Sequence, residues 1–456
     1  MKRSLIIVAA LGLLPKVDGF TSISTRTSRR IRVRDIDGIT TSIYCVESTK
    51  LLEDFVPPKP SKKCTTKQQQ QQYNHNNDDF LNDLHLPRGL KHALIQNTQH
   101  VFSKRIWIVD NSGSMKMMDG HEILQSAEQG KKKKKHDSKQ DGSSSSSSTG
   151  AAVSVSSSSS PLTTRWAEVQ ETVNCHAQLS SVLGVPTDFR LLNPPSAGGP
   201  QNFRVGYHNQ NIPVPVPFLG RNHKSDCHRA NKIMKRVQPT GKTPLHTAVA
   251  EIRTEVIKML PQLRTDGMKV AIVICTDGCN HDYKNVNQDG TIPSEPQLNE
   301  ELRAALESLQ GLPVCVVIRL CTDYGQIVDF YNDLDEQLGE LSFLDVLDDY
   351  QAEASEVYSH NPWLNYALVL HRLREMGMQG SSALFDLLDE RPFTRDEIRD
   401  FCALLFGTDL LPDPWYDWEN FLAEVDRLQQ REEYHWNPQK EVMAPWIDME
   451  QLALQQ

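Results

Sequence analysis

The chain has 456 residues, 38% of them hydrophobic and 23% charged, with a formal net charge of −9, which is long enough for one large domain plus an appendage. The charge is uneven: residues 295–456 carry 33 acidic against 10 basic side chains, and residues 1–294 carry 39 basic against 25 acidic. Much of the basic excess lies in a leader and a lysine run rather than on a folded face, so no nucleic-acid partner is expected, and the acidic C-terminal third reads as a solvated helical surface. Nine cysteines, an odd number without regular spacing, exclude a dense disulfide framework. They also argue against a zinc site built from Cys227, His228, Cys275 and Cys279.

Lys2 and Arg3 precede the apolar stretch Leu5 to Leu14, too short to span a bilayer but suited to a signal-peptide core. A signal peptide over residues 1–19 is expected, with no transmembrane helix left in the mature chain. From Phe20 to Arg34 there are five arginines, many Ser and Thr, and no acids. That stretch resembles the bipartite plastid leader of diatoms and their relatives. The expectation is delivery through the secretory route, to the outside or to a plastid; the alternative is a cytoplasmic protein with a chance apolar start. Residues 20–100 read as mostly disordered, with Pro57-Pro58-Lys59-Pro60 and a glutamine run at Gln68 to Gln72. A short helix is expected around Phe80 to Leu94.

Ile106-Trp107-Ile108-Val109 reads as a buried parallel strand, followed at once by Asp110-Asn111-Ser112-Gly113-Ser114. A low-complexity insertion at about 125–161, with Lys131 to Lys135 and two serine runs, cannot bury enough apolar surface to order itself and must loop out. Trp166, Val169, Val173 and Ala177 then mark a long helix. Thr187 to Asn193 and Phe203 to Tyr207 read as strands, and the Pro213-Pro215-Pro217 stretch as an extended connection. Thr243 suits a helix N-cap and Pro244 the first helical position, before a helix with Leu245, Val249, Ile252, Val256 and Leu260 on one face. Lys269 to Cys275 is a second buried strand ending in Thr276-Asp277-Gly278. Helices from Glu300 and Asp323 bracket the strand Pro313 to Ile318, and Leu344 to Asp349 is a short edge strand. Alternating strands and helices predict an α/β fold: a doubly wound, mostly parallel sheet flanked by helices over 101–350.

From 351 to 456 the pattern predicts an α-helical subdomain. Trp363, Ala367, Leu370 and Leu373 share one predicted helical face, and Thr394 with Glu397 forms a capping box. Five of the seven tryptophans fall in this tail; Trp415, Tyr416 and Trp418 are expected to belong to its core, a recognition surface being the alternative. Phe385 to Glu397 lacks the alternating acidic ligands and central Gly of a calcium helix-loop-helix.

The loop after the first strand puts one carboxylate and two hydroxyls at alternate positions, a hard-oxygen set suited to Mg²⁺ or Mn²⁺, at the sheet edge where open α/β folds hold ligands. Together, D-x-S-x-S after a first strand, G-x-T-P-L opening a helix and T-D-G after a later strand resemble a von Willebrand factor A domain with its metal-ion-dependent adhesion site. The resemblance implies that Asp110, Ser112, Ser114, Thr243 and Asp277 ligate the cation. It implies further that an Asp or Glu of a partner protein fills the open position. The function expected is metal-dependent protein binding without catalysis. An accessory subunit of a chelatase-like or remodelling ATPase complex is the alternative. Gly241-Lys242-Thr243 imitates a P-loop ending, but the earlier glycine it needs is missing. A phosphohydrolase with Asp110 as nucleophile would need an acid two positions on, where Ser112 stands.

Overall fold

The computed structural model describes residues 30–34, 40–44, 84–121, 162–207, 223–278, 280, 293–339, 344–378 and 382–455. The signal peptide, most of the leader, the insertion at 125–161 and the proline-rich stretch 211–217 lie outside these residues. The chain divides into two compact units, Met1–Gln69 and Gln70–Gln456. The described part of the first is an antiparallel pair, β1 (Arg30–Arg34) and β2 (Thr40–Tyr44).

The second unit opens with α1 (Arg88–Gln96) and β3 (Phe102–Val109). A two-residue antiparallel pair follows, β4 (Gly120–His121) with β5 (Leu162–Thr163), so His121 and Leu162 lie side by side. Then come α2 (Arg165–Leu183), β6 (Thr187–Leu191), β7 (Asn202–Val205), α3 (His223–Arg236) and α4 (Leu245–Asp266). The order continues with β8 (Lys269–Thr276), α5 (Glu295–Glu307), β9 (Val314–Leu320), α6 (Gly325–Gly339) and β10 (Leu344–Leu347). Six strands form one sheet in the order β10-β9-β8-β3-β6-β7. Every neighbouring pair is parallel except β6 with β7. The architecture is Rossmann-like, as the strand–helix alternation predicts.

The central strands are apolar at nearly every position because both faces of the sheet are covered. Side chains alternate along a strand, so Ile106, Ile108, Ile272, Ile274 and Ile318 pack under α4, α5 and α6. Trp107, Val109, Val273, Cys275 and Val317 face the other way, under α2 and α3.

One local expectation changes at the start of α4. Thr243 does not cap the helix. Pro244 takes that position, with φ −80° and ψ 61°, and no side-chain cap bond is made. The Leu245 N–H donates to the Thr243 carbonyl at 2.9 Å. That geometry is an inverse γ-turn centred on Pro244, which delays the helix by one residue.

The tail comprises α7 (Tyr350–His360), α8 (Leu368–Glu375), α9 (Leu387–Glu390), α10 (Arg395–Phe406), α11 (Trp418–Gln429), the hairpin β11 (His435–Asn437) with β12 (Val442–Ala444), and α12 (Met449–Ala453). Its apolar core takes in Leu90 and Leu94 of α1 and Leu179 and Val182 of α2. Trp363, Ala367, Leu370 and Leu373 all lie in that core, but not on one helix. Asn361 ends α7, Leu364 bridges to Ile447, and α8 begins only at Leu368. Trp363 and Trp446 are fully buried, whereas Trp415 is 62% and Tyr416 91% exposed, which corrects their assignment to the core. The tail is not simply a solvated acidic face either: Glu353 and Glu375 are buried, as are Arg372 and Arg374. Among the described residues, no helix is long and apolar enough to cross a membrane.

Candidate metal centre

Asp110 follows β3 at the C-terminal edge of the sheet, and its N–H continues the parallel ladder to the Cys275 carbonyl at 2.9 Å. Its carboxylate is fully buried. Oδ1 accepts the Ser112 N–H at 2.8 Å, and Oδ2 accepts the Thr276 hydroxyl at 2.8 Å. The Ser114 hydroxyl donates to Asp277 Oδ1 at 2.9 Å. It lies 3.0 Å from the Ser112 hydroxyl, and with its own proton committed to Asp277 it accepts there. Asp110, Ser112, Ser114 and Asp277 thus converge from positions up to 167 apart in sequence, at the ends of two adjacent strands.

Thr243 is also buried, on a loop laced to the first. The Thr240 N–H donates to the Asn111 carbonyl at 2.7 Å, and the Gly113 N–H to the Gly241 carbonyl at 3.2 Å. Asn193 joins the same loops: its N–H donates to Asn111 Oδ1 at 2.8 Å and its amide to the Lys242 carbonyl at 2.7 Å. Gly241 sits at φ +93°, and a Cβ there would fall 2.4 Å from Asn193 Oδ1. Glycine is therefore required both by the backbone angle and by the close approach. The Thr243 hydroxyl makes no hydrogen bond with the other four side chains, and the γ-turn spares it from capping.

Arg165 carries no local signal in the sequence. This buried guanidinium at the start of α2 donates through Nη1 to Asp277 Oδ2 at 2.8 Å, and through Nε and Nη2 to Asp119 at 2.7 and 2.5 Å. It holds Asp119 below the usual carboxylate range. Burial pushes the Asp110 carboxyl up to about 7, and the charge of Asp277 adds to that, against hydrogen bonds from Ser112 and Thr276.

The donor chemistry fits a hard divalent cation: two buried carboxylates and three hydroxyls, with no sulfur or imidazole in the set. Arg165 reaches Asp277 and Asp119 and leaves the buried Asp110 carboxyl with hydrogen bonds alone, so a bound cation would favour its charged form. Arg165 already engages one oxygen of Asp277, so a cation there shares that carboxylate. A second acidic group, Glu353, Glu356 and Asp389, has another explanation: Arg374 pairs with Glu353 and with Asp389, the latter at 3.1 Å.

No family model matches the chain, and no curated protein matches it. Among solved structures, proximal thread matrix protein 1 from the mussel byssus is similar at 11% identity and a TM-score of 0.22. The match covers 48% of this chain and 38% of that one, and it is too distant to argue from.

Proposed function

We propose that this chain is a metal-dependent protein-binding module with an adhesion site of the von Willebrand factor A type. Asp110, Ser112, Ser114, Thr243 and Asp277 would hold Mg²⁺ or Mn²⁺. The cation would supply an electrophilic position for an Asp or Glu side chain of a partner protein. The observation that carries this reading is the hydrogen-bonded chain from Ser112 through Ser114 to Asp277, beside buried Asp110, at the C-terminal edge of a parallel sheet.

The surrounding residues have defined tasks. Thr276 orients Asp110, Arg165 orients Asp277, and Asn193 fixes the spacing between the first loop and the Thr243 loop. Such supporting hydrogen bonds preset ligand geometry before a cation arrives. The low exposure of Asp110, Thr243 and Asp277 keeps water from screening the charge they present.

Calorimetric titration of the full chain with Mg²⁺ and Mn²⁺ tests the reading. Saturable binding is expected, and Asp110→Ala should abolish it. Bound cation should raise the unfolding temperature with concentration, as ligand linkage requires, and partner capture should be lost in EDTA. If neither cation binds, or if Asp110→Ala binds as well as wild type, the adhesion-site reading fails.

A further inference from the structure

Cys275, the penultimate residue of β8, and Cys321, just past β9, bring their Sγ atoms to 3.5 Å. Both are free and buried, in the apolar layer beneath α2. Cys402, in the tail core, behaves as a buried cysteine usually does, as a small apolar residue. The Cys275–Cys321 pair differs in two respects. Its sulfurs face each other, and Arg319 Nη1 lies 3.0 Å from Cys321 Sγ. Burial nevertheless pushes the Cys321 thiol well above its ordinary value, with Arg319 only opposing that shift, so it is the approach of the two sulfurs, not acidity, that favours their joining.

The pair also touches the metal centre through the backbone. The Cys275 carbonyl accepts the Asp110 N–H, and the Cys321 N–H donates to the Thr276 carbonyl, each at 2.9 Å. We infer that Cys275 and Cys321 are a redox-active dithiol that hydrogen peroxide converts to a disulfide, and that this oxidation weakens cation binding. The second half rests on the proposed metal centre; the first half does not.

The chemistry balances. One thiol sulfur attacks the peroxide oxygen, breaking the O–O bond and releasing water as a sulfenic acid forms. The second sulfur displaces the sulfenic oxygen, which leaves as a second water. Two S–H bonds and one O–O bond break, one S–S bond and two O–H bonds form as the thiol protons leave in the two waters, and two electrons pass from sulfur to oxygen. Burial of both sulfurs restricts the reaction to a small oxidant.

The direction of the effect follows from the strand order. Disulfide formation brings the sulfurs to about 2.05 Å. β8 lies between β9 and β3, so closing the pair draws the end of β8 toward β9 and away from Asp110 on β3. The Thr276–Asp110 and Ser114–Asp277 hydrogen bonds, 2.8 and 2.9 Å, then lengthen. Losing a hydrogen-bond partner of a ligand weakens metal affinity by about tenfold or more.

The test uses the full chain carrying Cys279→Ser, because Cys279 shares a tryptic peptide with Cys275. Reduced protein is treated with hydrogen peroxide, its remaining thiols are blocked, and it is digested without reduction. Cleavage at Lys269, Lys284, Arg319 and Arg372 leaves Cys275 and Cys321 on separate peptides. They should be recovered joined, and released by dithiothreitol. Mg²⁺ affinity should fall by about tenfold on oxidation, recover on reduction, and not respond to peroxide in Cys321→Ser or Cys275→Ser. Recovery of both cysteines as blocked, separate peptides overturns the dithiol. A joined peptide with equal Mg²⁺ affinity in both redox states overturns the coupling. Reduced protein that binds no cation sinks the metal centre instead, and the joined peptide still decides the dithiol.

Discussion

Arg165 sets how the carboxylates around the proposed metal centre share their charge. It pairs with Asp277 at 2.8 Å and with Asp119 at 2.5 Å, and its own side chain is almost wholly buried. Replacing it with Gln removes the cation but keeps most of the side-chain volume. Asp277 would then stand as a buried anion near Asp110, whose carboxyl already sits at about 7 through burial and that same neighbour. Breaking a buried pair from one side costs about 3–5 kcal/mol. Arg165→Gln should therefore be clearly destabilised in EDTA, and saturating Mg²⁺ should restore more stability to it than to wild type, because the added cation replaces the lost charge. Urea unfolding with and without Mg²⁺ measures both. Equal stability of variant and wild type in EDTA would contradict the assigned role. Asp110, Ser112, Ser114 and Asp277 were legible because a strand end followed by small oxygen-bearing residues is a local pattern. Arg165 was not, because its partner Asp277 is 112 positions away and an Arg at a helix start reads as solvated. Thr276 was visible within its motif, but only the fold shows its hydroxyl turned back onto Asp110.

Among the elements, α10 and α4 show where local rules hold and where they yield. The Thr394–Glu397 capping box forms as the spacing predicts: Thr394 accepts the Glu397 N–H, and Glu397 accepts the Thr394 N–H. Glu397 also takes two hydrogen bonds from Arg391, at 2.8 and 2.6 Å. Arg391 chiefly, with Thr394 helping, holds its carboxyl down to about 2 from an ordinary 4.5. A depressed carboxylate adds stability above its unfolded value, and that stability is lost as pH falls from about 4.5 through 2. Glu397→Gln keeps a capping acceptor but loses the charge. It should cost about 0.5–1 kcal/mol at pH 7, since solvent reaches both members of the pair, and clearly less near pH 2. Urea midpoints at the two pH values check this, and a cost that persists undiminished at pH 2 would count against it. At α4 the local rule gives way: Thr243-Pro244 has the residue types of a cap and first turn, yet the backbone forms a γ-turn there. The lacing of Thr240 and Gly241 to the first loop fixes the approach of the chain, a tertiary constraint that no helix-start pattern contains. The Trp363–Leu373 periodicity misleads for a similar reason. Asn361 spends its amide on the Leu388 and Arg391 carbonyls and its oxygen on the Phe393 N–H, which ends the helix there.

Over the whole molecule, the sheet and the helical tail are joined by buried charge as well as by apolar packing. Glu375 of α8 meets His176 of α2 at 2.6 Å, Arg372 at 2.9 Å and Arg319 of β9 at 3.4 Å. Arg105 of β3 donates to the Met376 carbonyl at 3.2 Å, and Arg319 also pairs with Glu168 of α2. Burial alone would raise the Glu375 carboxyl, but Arg372 and the His176 hydrogen bond hold it well below the ordinary range. The sequence shows Arg372 and Glu375 three apart on a helix, the spacing of a solvated surface pair, so nothing local reveals that they meet Thr172 and His176 of α2, 200 and 199 positions away. The strand–helix alternation made the sheet legible; its attachment to the tail was not, because buried ion pairs leave no periodic signature. The consequence is cooperativity. Without the tail, Arg105 and Arg319 would lose partners while still enclosed, and Leu179 and Val182 of α2 would be stripped of their cover. Calorimetry should therefore record one unfolding transition spanning both parts, as expected where charges and core are shared. Glu375→Gln should lower stability by about 3–5 kcal/mol, because it strips the buried Arg372 of its carboxylate partner. Glu424→Gln, which breaks a surface pair with Arg427, should have a far smaller effect, because solvent screens an exposed pair. Two separable transitions, or equal effects of the two substitutions, would mean that the tail is an appendage rather than part of the folded unit that supports the site.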